Sequence, residues 1–263
     1  MRMGRGSLGA WVRTSAACGL LLLLVACGAE ASKKKGVSES RAHAHYQFAL
    51  RLYEQGQVRN ALAQMLQAIE LEPDNAQYRN SLGFVYFSLA EYDLARENYD
   101  KAIKLDPAFT EVHVNLALVD SEQGRYPEAE AEYRRALADP AYPTPEKVYV
   151  NWGLTLRKRG DLAGAEAMLR KALEASPRYA RARFEMGRLL EEQGKADGAL
   201  KEYLTAWDGM PELAELNLRI GEIYCSRGES DRARPYLEKV IAASPTSVEA
   251  EKARMLLRGS PTR

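Results

Sequence analysis

Six alanines, Ala61, Ala95, Ala129, Ala165, Ala199 and Ala233, recur at spacings of 34, 34, 36, 34 and 34 residues. A period of that length calls for a stack of one supersecondary unit, because such a unit cannot bury its apolar face alone and its neighbours must cover it. Other residues keep the same beat. Ala49, Gly83, Ala117, Gly153, Gly187 and Gly221 lie 12 residues before each alanine, and Pro73, Pro107, Pro177, Pro211 and Pro245 lie 12 after. Only the third unit lacks its proline and runs two residues long.

The residue types predict two antiparallel helices per unit, crossing closely where only Ala or Gly stands. Leu82, Leu116, Trp152, Met186 and Ile220 precede the small residue of the first helix, and Met65, Tyr99, Tyr133, Leu169, Tyr203 and Leu237 repeat in the second. Both series read as core. Gly56, Gly124, Gly160, Gly194 and Gly228 stand where the first helix must stop, a place that suits glycine's access to positive φ. Ala90 alone replaces glycine there. The prolines close each second helix, since proline cannot continue a helix interior.

With this frame the chain resembles the tetratricopeptide repeat family. The resemblance implies an all-α, right-handed α-solenoid of six repeats, at 42–75, 76–109, 110–143, 146–179, 180–213 and 214–247. The slip between the third and fourth repeats falls at Thr144 and Pro145. Val248, Ala250, Ala253, Leu256 and Leu257 form a further amphipathic stretch, so 248–263 reads as a capping helix and tail.

Arg2, Arg5 and Arg13 precede an apolar run from Ala16 to Ala26, about half the roughly 20 residues that a membrane-spanning helix needs. Residues 1–26 therefore read as a signal peptide. Leu24-Val25-Ala26-Cys27 resembles the lipobox of bacterial lipoproteins, which implies cleavage before Cys27 and acylation of that cysteine. Stable anchoring needs more than one acyl chain, and the lipobox implies several. Gly28 follows in place of the aspartate that resembles an inner-membrane retention signal, so the expected site is the periplasmic face of the outer membrane. Residues 27–41 read as the lipidated cysteine and a flexible polar tether, including Lys33, Lys34 and Lys35.

Removing Arg2, Arg5 and Arg13 from the 37 basic residues leaves 34 against 36 acidic ones. A near-neutral mature chain argues against a nucleic-acid partner, which would call for a basic stripe. Cys18 leaves with the signal and Cys27 is acylated, so Cys225 has no partner for a disulfide within the chain. No phosphate loop, Cys-x-x-Cys pair or nucleophile motif is present. His43, His45 and His113 lack metal-ligand spacing. The reading is of a protein that is not an enzyme and has no cofactor, metal or small-molecule substrate.

Function is then expected on the inner surface, which in this family is lined by the first helices. The positions read off as a protein-binding groove are Tyr46, Leu50, Tyr53, Asn80, Phe84, Phe87, Val114, Leu118, Val150 and Leu154. Some of these would instead pack on the next unit. Repeats five and six change character, with Arg181, Phe184, Arg188, Glu191, Glu192 and Glu222. An apolar row of this kind suits an amphipathic partner segment. Leu50, Phe84, Leu118 and Leu154 stand where chaperone-binding repeats carry a carboxylate-clamping asparagine.

The third-to-fourth junction, Tyr142-Pro143 followed by Lys147-Val148-Tyr149-Val150-Asn151-Trp152-Gly153-Leu154, together with the lipobox and six repeats, resembles the type IV pilus pilotin lipoproteins. That resemblance implies a lipid-anchored protein that helps the secretin subunit of the pilus machine reach the outer membrane and multimerise there. The alternative is a lipoprotein adaptor that docks peptidoglycan-processing or outer-membrane assembly proteins.

Overall fold

The computed structural model describes residues 36–259, and all the secondary structure in that span is helical. The expected signal peptide, Cys27, the first part of the expected tether and the last four residues lie outside the described residues. Two compact units divide the chain after Ala108.

The first unit holds two helical hairpins. Helix α1 covers 36–54 and pairs with α2 (Val58–Leu71), and α3 (Ala76–Ser88) pairs with α4 (Tyr92–Leu105). Helix α1 corrects the expected tether boundary, because residues 36–41 are already helical. Nothing in that stretch breaks a helix, and Ala42, the residue after it, is fully buried. The core joins Ala42, Tyr46, Ala49, Met65 and Ala68 to Tyr78 and Leu82 of α3, so α3 rests on the first repeat.

The second unit holds four hairpins and a last helix: α5 (Glu111–Glu122), α6 (Tyr126–Leu137), α7 (Pro145–Arg159), α8 (Leu162–Ala175), α9 (Ala180–Glu192), α10 (Ala196–Trp207), α11 (Ala214–Ser226), α12 (Ser230–Ala243) and α13 (Val248–Gly259). The two extra residues of the third repeat are absorbed between α6 and α7. Asp139 organises that connection, accepting from the Thr110 hydroxyl at 2.8 Å and the Ala141 amide at 2.9 Å, and Pro145 opens α7 where its missing N–H costs nothing. Helix α13 packs on α11 and α12 and buries Ala250 and Ala253.

The small residues of the first helices do the work their period implies. A Cβ on Gly187 would lie 2.4 Å from the Tyr203 ring, and one on Gly83 would lie 2.6 Å from the Tyr99 ring. Gly153 is looser, with Leu169 at 3.2 Å. The five turn glycines all have positive φ, and Ala90, at φ 60°, holds the same left-handed geometry despite its side chain. Pro73, Pro107, Pro177, Pro211 and Pro245 all stand past the ends of second helices, but Pro235 lies inside α12, where it removes one helical hydrogen bond.

One recurring tie connects the two helices of a repeat across 19 residues. His45 Nδ1 lies 2.8 Å from Gln64 Oε1, Arg79 donates to Asn98 at 3.4 Å, His113 Nδ1 lies 2.7 Å from Glu132, and Arg183 donates to Glu202 at 2.8 Å. Arg79 and Arg183 also donate to the carbonyls of Pro73 and Pro177, which fixes the preceding turn. His45 and His113 are therefore structural side chains in this frame.

Candidate functional site on the first helices

Helical periodicity puts the fifth, ninth and twelfth residues of each first helix on neighbouring lines, and the structure separates those lines by burial. The fifth line is core: Tyr46, Asn80, Val114 and Val150 are all buried. Tyr46 stacks on Tyr78 with ring centroids 4.7 Å apart, and its hydroxyl accepts from Gln77 at 3.3 Å and Ser81 at 3.4 Å. Little of these four residues is left for a partner to touch.

The ninth and twelfth lines reach solvent. In the first unit Leu50, Tyr53 and Phe87 are half-buried, and Phe84 is 41% exposed. The Tyr53 and Phe84 rings are 5.2 Å apart, and the Tyr53 hydroxyl sits 2.7 Å from that of Ser88. Phe87 leans on Tyr92 at 5.8 Å. The result is a short aromatic ridge whose rings hold one another in place, a rigid surface that loses little side-chain entropy on contact. In the second unit Leu118 and Leu154 continue the ninth line on α5 and α7, each half-buried.

From α7 onward the second unit replaces apolar contact with ion pairs. Glu185 is fully buried, with Arg181 at 2.7 Å, Arg157 at 3.2 Å and Arg188 at 3.5 Å. Arg157 also faces Glu192 at 3.6 Å, and Arg188 faces Glu215 at 3.7 Å. Arg219 lies 3.6 Å from Glu222, and Lys252 of α13 pairs with Glu222 as well. Glu191 accepts from the Tyr203 hydroxyl, whose pKa is raised by burial and then by that carboxylate. Phe184, expected at the surface, is buried against Tyr203 at 5.8 Å. An open depression of about 270 Å³ remains between Arg188, Glu191, Glu192 and Arg219.

The sequence reading placed all ten groove positions on first helices, and every one of them lies there. It missed Glu185, since nothing in the sequence marks that glutamate as buried. The signal available was Arg181 and Arg188, each about one helical turn from Glu185 on α9. Among the described residues no group of three His, Cys, Asp or Glu side chains is placed to hold a metal ion, and no helix is long and apolar enough to cross a membrane.

Comparison with known proteins matches this geometry. Models of the tetratricopeptide repeat match residues 49–90, 85–123, 114–139, 150–212 and 215–247. The type IV pilus assembly protein PilF of Pseudomonas aeruginosa is 27% identical over 221 residues, covering 83% of this chain and 86% of PilF. The crystal structure of PilW, a widely conserved type IV pilus biogenesis factor, aligns with a TM-score of 0.66 at 26% identity over 81% of this chain and 98% of that one. The structure of Pseudomonas aeruginosa PilF aligns with a TM-score of 0.63 at 25% identity, over 83% and 98% of the two chains. The chain is a tetratricopeptide repeat protein related to the type IV pilus biogenesis factors PilF and PilW.

Proposed function

We propose that this protein is a non-enzymatic, lipid-anchored scaffold of the outer membrane that promotes secretin localisation and multimerisation for type IV pilus biogenesis. The observation that carries the reading is the exposed aromatic ridge of Tyr53, Phe84 and Phe87, set in a fold related to two pilus biogenesis factors. An aromatic cluster that its own unit leaves partly uncovered, with Phe84 exposed and Tyr53 and Phe87 half-buried, is a surface for another chain. The partner in this reading is a secretin segment with apolar side chains, and Cys27, acylated at the lipobox, keeps the scaffold at the membrane where the ring assembles.

Deleting the gene tests the assignment directly. Detergent-resistant secretin multimers should disappear while secretin monomer persists, and a gene copy restored in trans should bring them back. Multimers at wild-type level in the deletion strain would refute the secretin role and favour the adaptor reading. Cys27→Ala tests the anchor separately, because a high-salt wash should release the substituted protein from the membrane fraction, with its repeats still folded, and leave the acylated parent in place.

A further inference from the structure

Helices α3, α7, α9 and α11 each pack on the second helix of the repeat before them, and α1 has no such neighbour among the described residues. The seventh residue of a first helix is Leu82, Leu116, Trp152, Met186 or Ile220 in the later repeats, and each is buried. Its equivalent in α1, Phe48, is 44% exposed. The tenth residue is Val85, Val119, Thr155, Leu189 or Ile223 in those repeats, again always buried, and α1 has an exposed Arg51 there. Tracing the same face back along α1 at helical spacing adds Ala44, Arg41 and Val37, all exposed, with Val37 at 55%.

This stripe is chemically unlike the surface it replaces. A face meant for another repeat would continue the uncharged series, whereas this stripe of α1 alternates apolar residues with arginines and holds no acid of its own, the acids of α1, Glu39 and Glu54, standing off that line. The Arg51 guanidinium stands 5.7 Å from the centre of the Phe48 ring, so cation and apolar body form one patch. Two such faces brought together would set Arg41 and Arg51 against their own copies, which argues against a second chain as the occupant.

We propose that this face of α1 lies on an anionic phospholipid surface, with Phe48 and Val37 entering the headgroup layer and Arg41 and Arg51 meeting lipid phosphates. Charge complementarity supports it, since juxtamembrane cations are drawn to anionic leaflets and apolar side chains on such a face add buried area. The length of chain outside the structure supports it too. Only residues 28–35 separate Cys27 from α1, a reach of at most about 28 Å fully extended, and three of the eight are Lys33, Lys34 and Lys35. The placement beside the bilayer rests on the lipid-anchor reading above, but the composition and exposure of the stripe do not.

The test uses the mature chain from residue 28, which keeps every described residue and carries no acyl group, so it is independent of whether Cys27 is lipidated. Co-sedimentation with phosphatidylcholine vesicles, with and without phosphatidylglycerol, should show binding only when the anionic lipid is present, and added salt should weaken it. Arg41→Gln and Arg51→Gln should each lower the partition coefficient about five-fold. Phe48→Ser should lower it about ten-fold, with circular dichroism unchanged in all three variants. Equal binding to both vesicle types, or variants that bind like the parent, would overturn the proposal. So would concentration-dependent self-association in sedimentation velocity that Phe48→Ser abolishes, because it would assign the face to a second copy.

Discussion

Phe84 on α3 and Arg188 on α9 occupy the same place in their repeats, yet the surfaces around them are built in opposite ways. Around Phe84 the exposed groups are apolar and their contacts are with one another. Around Arg188 nearly every charge meets an opposite charge from its own unit, centred on a carboxylate with no solvent exposure. A face whose charges are answered from within serves the packing of the helices that carry it. A face that leaves aromatic rings in water without cover is kept for a partner. The contrast teaches that similar position in the frame does not mean similar duty.

The largest expected effect breaks the ion-paired side. Glu185→Ala leaves Arg157, Arg181 and Arg188 clustered around a buried void, and should cost about 3 to 5 kcal/mol, read as a lower midpoint in chemical denaturation. A shift below 1 kcal/mol would mean that the network is ornamental and that its face is as free as the aromatic one. Next in size is Gly187→Ala, which drives a methyl into the Tyr203 ring and should cost about 1 to 3 kcal/mol, whereas Gly153→Ala, with Leu169 able to give way, should cost less. Calorimetry on the pair ranks the two crossings.

A smaller effect of opposite sign is expected in the first unit. Ala90→Gly relieves a left-handed turn held by a residue with a side chain and should stabilise by about 1 kcal/mol. Smallest in stability is Phe84→Glu, expected within about 0.5 kcal/mol because the ring is already partly in water. A large loss of stability there would show that the aromatic ridge is structural too, and the contrast would collapse.

The fold was largely legible because its constraints are local and repeated. Gly83, Gly187 and Gly221 stand against Tyr99, Tyr203 and Leu237, and the turn glycines hold positive φ, all at positions the period had already marked. The site was legible in register but not in depth. Period and spacing place Tyr46 and Leu50 on adjoining lines of α1, yet burial depends on how far a neighbouring helix leans over, and that is a packing outcome. Tyr46, Asn80, Val114 and Val150 went to the core for this reason, while Phe84 stayed out. The ties from His45 to Gln64 and from His113 to Glu132 were visible only as polar pairs 19 apart, a spacing that acquires meaning once the hairpin geometry is known. The onset of α1 at residue 36 was missed because Gly-Val-Ser-Glu-Ser-Arg has tether composition, and the buried Ala42 that follows it carries no mark of its own in the sequence.

The central claim is that the aromatic face of α1 and α3 seats the partner, and the most direct measurement is the secretin assembly state in cells that make only the Phe84→Glu protein. The Phe84→Glu protein should be full-length, membrane-associated and present at normal level, with helicity near the parent's. Secretin in those cells should run as monomer after mild detergent extraction. Normal secretin multimers in the presence of stable Phe84→Glu protein would contradict the account and move the working surface elsewhere on the chain.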